Sequence, residues 1–166
     1  MKNSSLRAAA QRSYYSGTIT EFCAADLNEI FARMARRNDF DLTGTQRDAW
    51  LEQAEILKRV LASHQGALYL EFTIPRMGRR IDALVIIGPV IFVLEFKVGE
   101  QAFLLQDVDQ VEDYALDLHN FHEGSHDAFI APVLICTRAR PDRQHIPATR
   151  PSDRLFEVSR TNSDGL

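Results

Sequence analysis

Residues 79–100, "RRIDALVIIGPVIFVLEFKVGE", decide how this chain is read. Two apolar runs flank a Gly88-Pro89 turn, so the stretch predicts two adjacent strands of a buried sheet. Three charged side chains interrupt them: Asp82 in the first run, Glu95 and Lys97 in the second. An unpaired ion in low dielectric costs on the order of several kcal/mol, so such groups are retained inside a sheet only when they are paired or bound to a cation. Side chains alternate along a strand, which sends Glu95 and Lys97 to one side while Leu94 and Phe96 fill the other.

On the amino-terminal side, "ALYLEFTI" predicts a further strand, joined through "PRMG". A hairpin centred between Arg76 and Met77 sets Glu71 opposite Asp82, adding a third carboxylate. Before it lie two predicted helices. "TITEFCAADLNEIFARMARR" opens with Thr18 and Glu21 in capping-box spacing and reads as one amphipathic helix. The second starts at Thr45 and Asp48 and carries Trp50, Ala54, Leu57 and Leu61 as its apolar stripe. On the carboxyl-terminal side, "FLLQDVDQVEDYALDLHNFH" predicts a helix with Leu104, Val108, Val111, Ala115 and Leu118 inward, and "AFIAPVLICT" a buried strand. Strand, long helix, strand implies a parallel crossover. "RARPDRQHIPATRPSDR" reads as irregular, with "LFEVSR" a possible added strand. "TNSDGL" resembles a helix start, which is expected to lead into a further region of the polypeptide.

Packed carboxylates repel unless they are protonated or neutralised. Oxygen donors without His or Cys suit a hard divalent ion, Mg or Mn. Such an ion beside an amine is the donor set used for phosphodiester hydrolysis. Asp82 and Glu95 are the expected metal ligands, with Glu71 in support and Lys97 polarising the attacking water or stabilising charge. Arg76, Arg79 and Arg80 at the hairpin offer phosphate contacts; solvated arginines are the ordinary reading of such positions.

Size and composition fit a single α/β domain: 166 residues, 45% hydrophobic and 25% charged. Nineteen basic against twenty-three acidic residues give a net charge of -4, which excludes a uniformly basic nonspecific DNA binder but not a local basic stripe. Cys23 and Cys136 lack ligand spacing and read as reduced thiols. No apolar leader or membrane-length run is present, so a cytoplasmic protein without membrane contact is expected.

The order helix, three-strand meander, helix, strand, with Asp82 on one strand and "EFK" on the next, resembles the PD-(D/E)XK nuclease superfamily. "QVEDY" supplies Gln110 and Tyr114, similar to the QxxxY element of its RecB-like branch. The similarity covers about residues 45–137. "YYSGTITEF", "QRDAWLEQ" and "LEFTIPRMGRRID" resemble the amino-terminal region of bacterial Schlafen-like DNA/RNA helicase proteins. The resemblance implies a restriction-endonuclease-like core with a central mixed sheet of four or more strands flanked by helices, plus an extra N-terminal helix. It also implies a Mg-dependent nuclease acting on DNA ahead of RNA, with a helicase region elsewhere in the same polypeptide. Residues 1–44 would be a leader and accessory helix, 45–137 the core, and 138–166 an Arg/Pro-rich tail. Asp82, Glu95, Lys97, Gln110 and Tyr114 would form the catalytic set, with Arg79 and Arg80 on nucleic acid. A Glu from the first core helix often joins the metal in that superfamily; Glu52 and Glu55 both compete, and neither is central on the apolar stripe.

Other readings stand beside this one. Glu95 and Lys97 also suit an ion pair on an exposed sheet surface, and Gln110 and Tyr114 an ordinary helix face. A nuclease-shaped module that only binds nucleic acid or a protein is the main alternative function. "HEGSH" at 122–126 fits a zinc-protease pattern, with His119 as an extra ligand, but Gly124 and Ser125 are poor helix formers and such a motif works only on a helix.

Overall fold

The first strand forms inside the polar leader, where none is expected. β1 (Tyr15–Thr18) is followed by α1 (Ile19–Ala24), α2 (Leu27–Ala35), α3 (Gly44–Leu61), β2 (Ala67–Thr73), β3 (Arg80–Ile87), β4 (Val90–Lys97), α4 (Leu105–Phe121), β5 (Phe129–Cys136) and β6 (Ser159–Thr161). The computed structural model describes residues 12–37, 43–74, 78–121, 128–140 and 154–166. "PRMG" is largely outside these residues, and "HEGSH" wholly so.

The sheet runs in the order β1-β2-β3-β4-β5-β6. β1 through β4 are antiparallel neighbours; short connections dictate this for β2–β3 and β3–β4, whereas the three helices α1 to α3 lie between β1 and β2. β5 lies parallel to β4 after the α4 crossover, and β6 parallel to β5. The chain is thus α/β with a mixed sheet, and strands from both ends of the sequence widen the part expected from residues 45–137. Of "LFEVSR", Leu155 makes only a bridge to Ile130, and the strand proper starts at Ser159.

The predicted first helix is two helices. Thr18 and Glu21 do form the capping box, but Ala25 is extended and Asp26 caps anew, accepting from Asn28 N at 2.8 Å. An Asp that can satisfy an orphan N–H two residues on competes with continuing the helix. Lys58 of α3 donates to the Cys23 carbonyl at 2.9 Å and to the Ala25 carbonyl, tying α1 to α3. α3 is capped by Thr43 rather than Thr45. α4 keeps its predicted stripe, except that Leu104 precedes the helix and is exposed.

Helices cover both faces of the sheet. Val111, Tyr114, Ala115 and Leu118 of α4 pack with Tyr69, Phe72, Ile81, Leu84 and Val93. Phe22, Ile30, Trp50, Ala54 and Leu57 of α1 to α3 pack with Leu68, Leu70, Ala83, Val85, Leu94 and Phe96 on the other side. Burying each such side chain is worth about 1.5–3 kcal/mol, enough in sum to offset a few buried charges. Cys23 and Cys136 are free thiols, and burial pushes Cys136 up to about 11. Among the described residues no helix is long and apolar enough to cross a membrane.

Candidate active site

The alternation of the sheet inverts where the acids sit. Leu70 and Phe72 are two apart, and a regular strand would give them one face, yet they belong to opposite cores. Ile81 and Ala83 on β3 do the same. The residues between them are Glu71 and Asp82, which the register sets opposite each other: Leu70 pairs Ala83 and Phe72 pairs Ile81. Glu71 has φ +52, a backbone state that costs a non-glycine residue about 1–3 kcal/mol and persists only where its surroundings impose it.

Its surroundings are specific. Glu71 Oε1 accepts from Trp50 Nε1 at 2.9 Å, and Arg80 Nε lies 3.8 Å from Oε2. Trp50, expected only as core, is therefore also a donor to the site. Arg80 further donates to the Tyr14 hydroxyl and lies over its ring. Arg80 is thus bound to an acid and a phenol, while Arg79 reaches an exposed Asp113 on α4 at 3.5 Å.

The β3–β4 register, with Ala83 opposite Leu94, continues toward Asp82 and Glu95. Past the last ladder pair, Phe96 N donates to Asp82 Oδ2 at 2.8 Å, so a side chain takes over from the backbone carbonyl and fixes the carboxylate. Glu95 is buried, and its Oε2 has no hydrogen-bond partner among the described residues. Lys97 Nζ is 3.3 Å from Glu95 Oε1, 3.4 Å from Asp107 Oδ1, and donates to Gln110 Oε1 at 2.8 Å. Gln110 Nε2 in turn donates to the Tyr114 hydroxyl at 2.7 Å. Asp107 was not singled out from the sequence; it lies three residues before Gln110, on the same helical face, and that spacing is a readable signal.

One open cleft of about 420 Å³ gathers Glu71, Asp82, Glu95 and Lys97, with Phe96, Val98 and Glu100 beside them. Its helical wall is Gln46, Ala49, Trp50 and Gln53, an i, i+3, i+4, i+7 stripe of α3. Glu52 and Glu55 are not on that stripe: Glu52 is half-buried, Glu55 exposed, and neither lines the cleft. His119 is half-buried near the end of α4, 3.4 Å from Asn120 Oδ1.

Burial sets the protonation of this cluster. Glu71 is pushed up to about 7 by desolvation and by the field of Asp82, against the pull of Arg80 and Trp50. Asp82 and Glu95 are both raised, first by desolvation; the Phe96 N–H restrains Asp82, whereas Asp82 drives Glu95 further up. Burial lowers the Lys97 amine, but Glu95 and Asp107 outweigh it and the net shift is upward. The amine thus stays charged while the acids hold protons more tightly than free carboxyls do.

Among the described residues no group of three or more His, Cys, Asp or Glu side chains is arranged as a ready-made metal centre. A hard cation between Asp82 and Glu95 would complete its shell with water, as Mg does readily. The donor set fits such an ion: oxygens only, one of them buried without a partner among the described residues, and proton affinities raised chiefly by burial.

Compared with models of protein families, with curated proteins and with solved structures, the chain finds no match.

Proposed function

We propose that the chain is a metal-dependent nuclease hydrolysing phosphodiester bonds, of DNA ahead of RNA. The supporting observation is the convergence of Glu71, Asp82, Glu95 and Lys97 on one cleft, with Lys97 held from behind by Gln110 and Tyr114. Mg or Mn held by Asp82 and Glu95 would supply Lewis-acid stabilisation of charge growing on the phosphoryl oxygen. Lys97 remains an ammonium, so it donates to the attacking water or to the transition-state oxygens and is not the base. Gln110 and Tyr114 fix the direction of that amine. Glu71, near neutrality in its pKa, is the carboxylate suited to take the proton lost as the water oxygen bonds to phosphorus and the phosphorus–oxygen bond to the leaving sugar breaks. Arg80 holds Glu71 in place rather than reaching outward. The sequence resemblance supports pairing with a helicase region.

The test is cleavage of plasmid and single-stranded oligonucleotide in Mg or Mn. Cutting by the wild type, lost in a folded Lys97→Ala variant, is the expected result. The engagement of Lys97 by Glu95, Asp107 and Gln110 favours a second reading, a non-cutting module that binds nucleic acid. Binding without cutting in any divalent metal would establish it.

A further inference from the structure

A second cavity, of about 330 Å³, lies between the start of β1 and the end of α2 and is lined by Tyr14, Ser16, Arg33, Arg36 and Arg37. Among the described residues no lining side chain is acidic. Its arginines are oriented by main-chain carbonyls: Arg33 Nη2 donates to Ser16 O at 3.3 Å, Arg36 Nε to Ala32 O at 3.2 Å and Arg37 Nη1 to Ser13 O at 2.6 Å, and Arg33 also lies in the field of Glu21. Arg33 also lies over the Tyr15 ring, 4.4 Å from its centroid. A guanidinium carries five N–H donors in a rigid fork that matches phosphate oxygens, so heads fixed in this way are pre-organised for that anion.

The cavity adjoins the acidic cleft through side chains in contact. Tyr14 lines it and packs edge-on against Trp50, whose indole lines the cleft and donates to Glu71. Arg80 spans the same gap, bonded to Tyr14 and paired with Glu71. Backbone bonds from Tyr14 N to Leu70 O and from Thr73 N to Arg12 O, both 2.9 Å, fasten this rim along β2. Basic side chains therefore continue from α2 to the edge of the acids, although the whole chain carries a net charge of -4.

From this placement we infer that the arginine cavity is a phosphate subsite, holding the backbone of the nucleic-acid strand whose scissile bond lies in the acidic cleft. The inference rests on the proposed function for the identity of the strand, but binding can be tested without cutting. An acidic cleft repels a polyanion, so a substrate strand needs a positive anchor beside it, and this cavity supplies one.

The experiment measures fluorescence anisotropy of labelled DNA of about 16 nucleotides, single-stranded and duplex in separate arms, with EDTA present so that nothing is cut. The proteins are the full chain, the double variant Arg36→Gln/Arg37→Gln, and Arg59→Gln as a remote control, all checked by thermal melting. The double variant should melt like the wild type, bind about tenfold more weakly in at least one arm, and show a shallower salt dependence by about 0.7 per lost phosphate contact on a single strand. Arg59→Gln should bind as the wild type. Unchanged affinity in the double variant, no binding by the wild type, or equal binding of a polyglutamate peptide would each overturn the subsite. Arginine-dependent binding by a wild-type protein that never cuts would instead leave the subsite standing and sink the nuclease reading.

Discussion

The two cavities on either side of the Tyr14–Trp50 contact hold charge in opposite ways. In the acidic cleft Glu71 and Glu95 are buried, press on one another and on Asp82, and are raised in pKa. In the arginine cavity the guanidiniums of Arg36 and Arg37 are on exposed residues and rest on carbonyl oxygens. Buried charge responds to protons and to cations that replace them, whereas exposed charge responds to ionic strength. The cleft should therefore be sensitive to pH and metal, and the arginine cavity to salt. Net charge averages the two and hides both.

The largest effect is expected at Lys97. Lys97→Met removes the only cation bonded to Glu95 among the described residues and should lower kcat by about a thousandfold with the circular-dichroism spectrum retained. A loss confined to KM would place Lys97 with the arginines instead.

Next in size is the pH dependence of stability without metal. Carboxyls raised in the folded state contribute stability that is fully present below their unfolded pKa, near the ordinary 4.5 for Glu, and lost as pH rises through the folded value, about 7 for Glu71. Melting in EDTA should therefore fall between about pH 5 and about pH 9, by on the order of 2 kcal/mol after allowance for screening. Mg or Mn should restore the loss at the alkaline end and do little at the acid end, because it competes with protons for the same oxygens. A flat melting profile would remove the contrast between the cavities.

Under turnover conditions Arg36→Gln/Arg37→Gln should raise KM by about tenfold and leave kcat alone, the signature of lost uniform binding. Glu71→Gln should separate stability from activity. The amide keeps an acceptor for Trp50 and discards a carboxylate that burial penalises, so the metal-free protein should gain about 1 kcal/mol at alkaline pH while kcat falls. Equal losses in both would mean that the Arg80 pairing matters more than burial.

The smallest effect is expected at Asp107, a positioning residue for Lys97. Asp107→Asn withdraws a negative charge that holds the amine's pKa up, so the alkaline limb of the activity profile should move to lower pH, with a loss of only about severalfold in kcat. An unshifted limb would leave Asp107 a merely structural neighbour.

What the sequence revealed of this arrangement follows from locality. Period-two alternation and a short turn were enough to pair Glu71 with Asp82, and an i, i+4 spacing was enough to join Gln110 to Tyr114. The inversion at Glu71 was hidden, because a positive φ there depends on Trp50 and Arg80 arriving from other layers. The same is true of α3: Trp50 turns toward Glu71, and that rotation puts Gln46 and Gln53 on the cleft instead of Glu52 or Glu55. β1 is four residues of "YSGT", with no strand pattern of its own, and becomes a strand by pairing with β2.

The most direct measurement is anomalous diffraction from crystals grown with Mn. A peak within coordination distance of the carboxylates of Asp82 and Glu95, near the Lys97 amine, is the expected result. Saturating Mn with no density between those two side chains, or with density only elsewhere, would contradict the reading of the strand acids as a cation site.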